Sequence, residues 1–268
     1  MSLKAELDYL YEKYNEKKYV HPDPLEFLYD YDKISDREIV GLIASALAYG
    51  RVNLIIGTVA KVLARMGKSP LLYLRGASTK EIKDDYSDFK YRFTTSEELT
   101  GLLVKIKASL ERYGSIYKMF LEGYSPQDED IITSLKDFLK KFSCIDGDVF
   151  GYSSLIPDPG LCSALKRMNL YLRWMVRKDN VDPGGWEAIS ASQLVIPLDT
   201  HMYRICSDFN FTDKRSPNLN TARQITQMFK KISPQDPVKY DFMLTRLGMN
   251  KKKELDKLAK ISILGQIQ

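Results

Sequence analysis

An all-α fold is what this sequence predicts, and three observations carry that expectation. Apolar residues recur three and four apart through most of the chain, as a helix of 3.6 residues per turn requires. No run alternates with period two for long, so no half-buried strand announces itself. Helix caps and breakers punctuate about ten to twelve helical segments, and no repeat of 20 to 50 residues is visible.

Taken in order, residues 3 to 18 place Leu3, Leu7, Leu10 and Tyr14 at helical spacing, ahead of the breaker His21-Pro22-Asp23-Pro24. A short segment, LEFLYDY, follows. Ser35 or Asp36 is expected to cap the next helix, with Glu38 in its first turn. That helix, IVGLIASALAYG, is apolar nearly all round, as for a central, closely packed element. After Gly50-Arg51, residues 53 to 66 form an amphipathic helix ending at Gly67. Between 76 and 96 the pattern is polar, with FKYRF as the one plausible extended run. Its aromatic and basic residues suit nucleic acid, or a loop packing its aromatics inward. Helical segments continue at about 97 to 112, 115 to 122 and 131 to 141, and the turn-rich 143 to 160 leads to a basic helix. Beyond Asp199 come a helix carrying Met202, Ile205 and Cys206, then TARQITQMFKKI, a helix from Ser233-Pro234 to Gly248, and a charged tail.

A chain of 268 residues with 44% hydrophobic content is long enough for one large or two small cores. Its formal charge of +5 is modest and concentrated: Leu161 to Lys178 has no acid, whereas Lys166, Arg167, Arg173, Arg177 and Lys178 are basic. One face of that helix would carry Leu165, Met168, Leu172 and Met175 to a core, and the other would meet something negative. Three cysteines without CxxC spacing support neither a disulfide framework nor an iron–sulfur cluster, and two distant histidines argue against zinc. No cofactor and no metal are expected. The charged start MSLKAELDYLYEKY does not read as a signal peptide, no apolar run approaches 18 residues, and a reducing, cytoplasmic setting without membrane attachment is expected.

Two residues suit chemistry. A lysine amine attacks a sugar anomeric carbon once neutral, and a nearby carboxylate takes its proton and stabilises the charge that develops as the base departs. Lys166 and Asp199, 33 positions apart, are the candidates. Each has an ordinary alternative: Asp199-Thr200 reads equally as a helix N-cap, and Lys166 as a solvated lysine.

The Lys-bearing helix followed by IPLDTHMYRI resembles the helix-hairpin-helix DNA glycosylases of the endonuclease III superfamily. The Lys/Asp spacing is closest to the archaeal 8-oxoguanine glycosylase branch. The AYGR, KRMNLYLRWMVR and PLDTH blocks are also similar to an uncharacterised bacterial family. The glycosylase resemblance implies a two-lobed helical fold with a cleft between lobes, residues 33–198 forming one and 1–32 plus 199–268 the other. It implies a base-excision glycosylase with AP lyase activity on damaged duplex DNA, with an oxidised, 8-oxoguanine-like purine as substrate. Lys166 would be the nucleophile and Asp199 its assistant. Arg167, Arg173, Arg177, Lys178, Gly160 and Arg51 would contact nucleic acid, and Tyr49, Tyr171, Trp174 and Trp186 would line a base pocket. The hairpin reads Ile156-Pro157-Asp158-Pro159-Gly160-Leu161 where the superfamily has Leu-Pro-Gly-Val-Gly, and Tyr49-Gly50-Arg51 stands where it has a glutamine turn. Those departures motivate the alternative, a non-catalytic nucleic-acid-binding protein on the same scaffold.

Overall fold

The computed structural model describes residues 2–145, 147, 152–161, 163–250 and 252–266. Cys162 and part of the turn-rich 143 to 160 link lie outside the described residues. Among those described there is no strand, only three isolated bridges, and the all-α expectation holds. The helices are α1 (Leu3–Tyr14), α2 (Ile34–Ala46), α3 (Val52–Met66), α4 (Pro70–Gly76), α5 (Thr79–Asp85), α6 (Ser96–Tyr113), α7 (Ile116–Leu121), α8 (Ile132–Cys144), α9 (Lys166–Val176), α10 (Thr200–Asp208), α11 (Leu219–Ile232), α12 (Asp241–Asn250) and α13 (Lys252–Gln266). No helix among the described residues is long and apolar enough to cross a membrane.

Contacts divide the chain into a contiguous unit, Pro22–Leu161, and a split unit, Met1–His21 with Cys162–Gln268. This division does not follow the boundaries expected at 33 and 198; it puts Lys166 and Asp199 in the same unit.

In the contiguous unit, α2 packs on the 3-10 helix Pro24–Asp30 and on α3, α4 and α7, with Ile39, Val40, Leu42 and Ile43 fully buried. Its small residues Gly41, Ala44 and Ser45 let those neighbours approach closely. The acids of its first turns do not cap it. Its N-cap is Lys33, without a side-chain bond. Asp36 instead accepts from Ser69 Oγ at 2.8 Å and Leu71 N at 2.9 Å, at the start of α4. Glu38 accepts from Ile116 N at 3.1 Å and Tyr117 N at 3.0 Å, at the start of α7. Each carboxylate meets the unbonded N–H groups and positive dipole end of a neighbouring helix, which stabilises it. Between 76 and 96, read as polar and irregular, Ser78 and Glu81 form a capping box that starts α5. The FKYRF run is a tight turn, Tyr91 and Thr94 exchanging backbone bonds of 3.0 and 2.8 Å.

In the split unit, α1 packs on α12 and α13, and α10 packs on α12. Trp174, Trp186, Tyr171, Phe209 and Phe229 are fully buried. Tyr171 and Trp186 meet edge-on at 5.2 Å, and Phe209, Phe211 and Phe229 continue an aromatic chain to Tyr240. The loop after α9 folds back on it, Gly184 N donating to Trp174 O at 3.0 Å and Trp186 N to Met175 O at 2.8 Å.

Candidate active site

Two helix starts make the site. Ahead of α9, Leu165 adopts the left-handed conformation at φ 49, ψ 35, which costs a branched residue about 1–2 kcal/mol. Its buried side chain holds it there, and the resulting kink makes Lys166 the first helical residue. Ahead of α10, Asp199 is the N-cap: its Oδ1 accepts from Met202 N at 2.8 Å. Its other oxygen, Oδ2, lies 3.8 Å from Lys166 Nζ, with the two side chains 29% (Lys) and 45% (Asp) exposed. The two readings of Asp199 are therefore compatible: one oxygen fixes the helix start and the second faces the amine. At 3.8 Å the pair is ionic and too long for a hydrogen bond.

Behind the pair lies a buried ionic network. Arg173 donates to Asp182 Oδ1 at 3.2 Å and also pairs with Asp241. Arg177 pairs with Asp182, with Asp179 at 2.8 Å and with Asp236 at 2.9 Å, and Tyr11 donates to Asp179 at 2.8 Å. Burial pushes the Asp241 carboxyl up against the pull of Arg173, and the charges of Asp199 and Lys166 also reach it. The network thus extends electrostatically to the exposed pair.

Several candidate residues stand elsewhere than expected. Arg173 and Arg177 are 3% and 5% exposed, their guanidinium groups committed to aspartates, so they do not present charge to phosphate. What meets this face of α9 is the protein's own carboxylates, two of which, Asp179 and Asp182, follow just after the helix. Tyr171, Trp174 and Trp186 are core residues without a face open to a base. Arg167 is half-buried and Lys178 exposed. His201, next to the cap of α10, has its Nε2 buried without a partner, against Gly248 of α12.

In the contiguous unit, Gly160 is exposed, but its N–H already donates to Asp158 Oδ1 at 2.7 Å and offers no free cradle. Tyr49 is half-buried, its hydroxyl bonded to Tyr91 O at 3.0 Å and Thr94 Oγ1 at 2.6 Å. Arg51 is exposed at the start of α3. Asp241 is the site neighbour that sequence reasoning missed, because it arrives from 42 positions beyond Asp199 with no local signal. Among the described residues, no three His, Cys, Asp or Glu side chains converge to hold a metal ion.

A family model described as "Protein of unknown function (DUF2400)" matches residues 23–250. Comparison with curated proteins and with solved structures returned no match. The resemblance to helix-hairpin-helix DNA glycosylases is thereby corrected: the family that matches is a different one, and the likeness had rested on short blocks around Lys166 and PLDTH.

Proposed function

We propose amine-based lyase or glycosylase chemistry on a sugar carbon of DNA for this chain, which belongs to the DUF2400 family, whose description names no activity. The observation that carries this reading is the 3.8 Å meeting of Lys166 Nζ and Asp199 Oδ2, from two helix starts, at partial exposure. A solvated lysine has no need of such a partner, and a cap has no need of its second oxygen.

In the proposed sequence Asp199 takes a proton from the Lys166 amine, which attacks C1′. On an intact nucleoside the C1′–N bond breaks, the base leaving with the proton that Asp199 took, and the C1′–O4′ bond then opens as a proton passes from the lysine nitrogen to O4′; on an abasic aldehyde the carbonyl oxygen takes that proton and leaves as water. The resulting iminium acidifies the C2′ hydrogen, whose loss expels the 3′ phosphate, and water then hydrolyses the Schiff base to regenerate the amine. Asp199 stabilises the positive charge while it exists. The preference for an oxidised purine came with the glycosylase resemblance, and no contact in the site speaks for it.

Borohydride reduction of a mixture with abasic, 8-oxoguanine or oxidised-pyrimidine oligonucleotides tests the proposal. A covalent adduct is expected with wild type and absent in Lys166→Ala. Wild type giving no adduct on any of these substrates overturns it.

A further inference from the structure

The contiguous unit carries a second feature that the Lys166–Asp199 chemistry does not use. The turn Tyr91-Arg92-Phe93-Thr94 is closed by two backbone bonds, and its tip bears Phe93, at 78% the most exposed of the large hydrophobic side chains described. Arg92 sits beside it with φ 51, a conformation that a β-carbon disfavours. Its guanidinium lies 5.5 Å from the Phe93 ring and 5.9 Å from the Tyr49 ring.

The turn is anchored as well as closed. Tyr49 bonds to Tyr91 O and Thr94 Oγ1, Tyr91 returns a bond to Tyr49 O, and Thr94 Oγ1 lies 3.0 Å from Ser154 Oγ. Gly50 has φ 98, a conformation that side-chain-bearing residues rarely adopt, and the Arg92 guanidinium packs over it, 2.7 Å from where a β-carbon would stand. An exposed phenyl ring is thus held on a rigid, braced tip, where its ordering cost is met before any partner arrives.

The charges around the tip indicate the partner. Arg92, Lys90 and Arg51 have no carboxylate partner among the described residues, unlike Arg65, whose fork grips Asp88 at 2.7 and 2.9 Å. Lys90 also borders a pocket of about 160 Å³ lined by Lys61, Tyr86 and Phe89 and by the paired Arg65 and Asp88. A planar ring and guanidinium presented together among unpaired cations match a π-face flanked by phosphates.

We propose that Phe93 and Arg92 form a base-stacking tip, which takes an unpaired base of a nucleic-acid strand while Arg92, Lys90 and Arg51 contact its phosphates. This shares the nucleic-acid partner of the Lys166–Asp199 reading but not its chemistry.

The test uses the full chain with single-stranded oligo-dT and with a duplex holding a tetrahydrofuran abasic analogue, which cannot form a Schiff base. Phe93→Ala and Phe93→Leu should each weaken binding about tenfold, because a branched alkyl group lacks the stacking face. Arg92→Ala should also reduce the slope of log K against log salt by about one. In Phe93→Trp the introduced indole should be quenched on binding, whereas the two native tryptophans are buried. Unchanged affinity in Phe93→Ala, full retention in Phe93→Leu, or quenching by lipid vesicles in place of DNA overturns the proposal. If borohydride gives no adduct while the quenching and the tenfold loss persist, the lyase reading fails and the stacking tip stands. Adduct formation with no dependence of binding on Phe93 has the opposite meaning.

Discussion

Asp182→Asn is the sharpest test of what holds the split unit together. The carboxylate is fully buried and bridges Arg173 and Arg177, one oxygen to each. An amide keeps the volume but replaces one acceptor with an N–H₂ that faces a guanidinium. Arg173 then relies on Asp241, and Arg177 on Asp179 and Asp236. Breaking a buried pair while leaving the cation behind costs about 3–5 kcal/mol. For a unit of this size each kcal/mol lowers Tm by about 3–4 °C, so a drop of roughly 10–20 °C is expected. The assay is direct, because the chain's two tryptophans, Trp174 and Trp186, are both buried in this unit and their emission reports its unfolding. Lys178→Ala, at an exposed position beside the network, should stay within about 0.5 kcal/mol of wild type. A Tm change under about 3 °C in Asp182→Asn would refute the reasoning, and would mean that the remaining aspartates suffice for both arginines.

Other outcomes follow from the same geometry. Asp199→Asn should keep the cap of α10 and near-native stability yet lose borohydride trapping, whereas Asp199→Ala should lose trapping and about 1 kcal/mol as well, measured by urea denaturation. Burial raises the Asp8 carboxyl, but hydrogen bonds from Lys4, Lys239 and Tyr240 outweigh it and hold it down to about 2. Its folded value being the lower one, Asp8 contributes stability above about pH 4 that is lost as pH falls toward 2. Discounted for partial exposure, that is about 1–2 kcal/mol, absent in Asp8→Asn when stability is followed against pH. Gly248→Ala would set a β-carbon 2.0 Å from His201 Nε2, and a loss of about 1–3 kcal/mol by thermal melting is expected. Glu38→Ala should expose the amides of Ile116 and Tyr117 to faster hydrogen exchange, since their acceptor is removed.

The fold class and most helices were legible because amphipathic spacing and caps are local. Helix α3, for example, ends at Gly67, where a left-handed turn is needed. What escaped was set by partners outside the helix that carries each residue. Asp36 read as a cap of α2 and Glu38 as an acid of its first turn, and only packing reveals that they serve α4 and α7. The arginines of α9 read as free cations because the helix itself carries no acid, although Asp179 and Asp182 stand a few residues past its end. The turn at Arg92 carries no glycine, asparagine or proline to announce it, and Tyr49 supplies from 42 positions away the brace that makes it possible. The Lys166–Asp199 meeting was legible as a possibility, since a capping aspartate leaves one oxygen over, but its distance was not.

The pairing of α1 with α12 and α13 bears on how a ribosome delivers this chain. The contiguous unit has all its helices in hand once residue 161 has emerged, and folding can proceed there during synthesis. Helix α1, which precedes that unit in the sequence, bears apolar Leu7 and Leu10 and finds its seat only after more than 200 further residues have been added. In that interval the helices it packs on are not yet made, and nascent chains stalled near residue 170 should leave α1 open to protease cleavage.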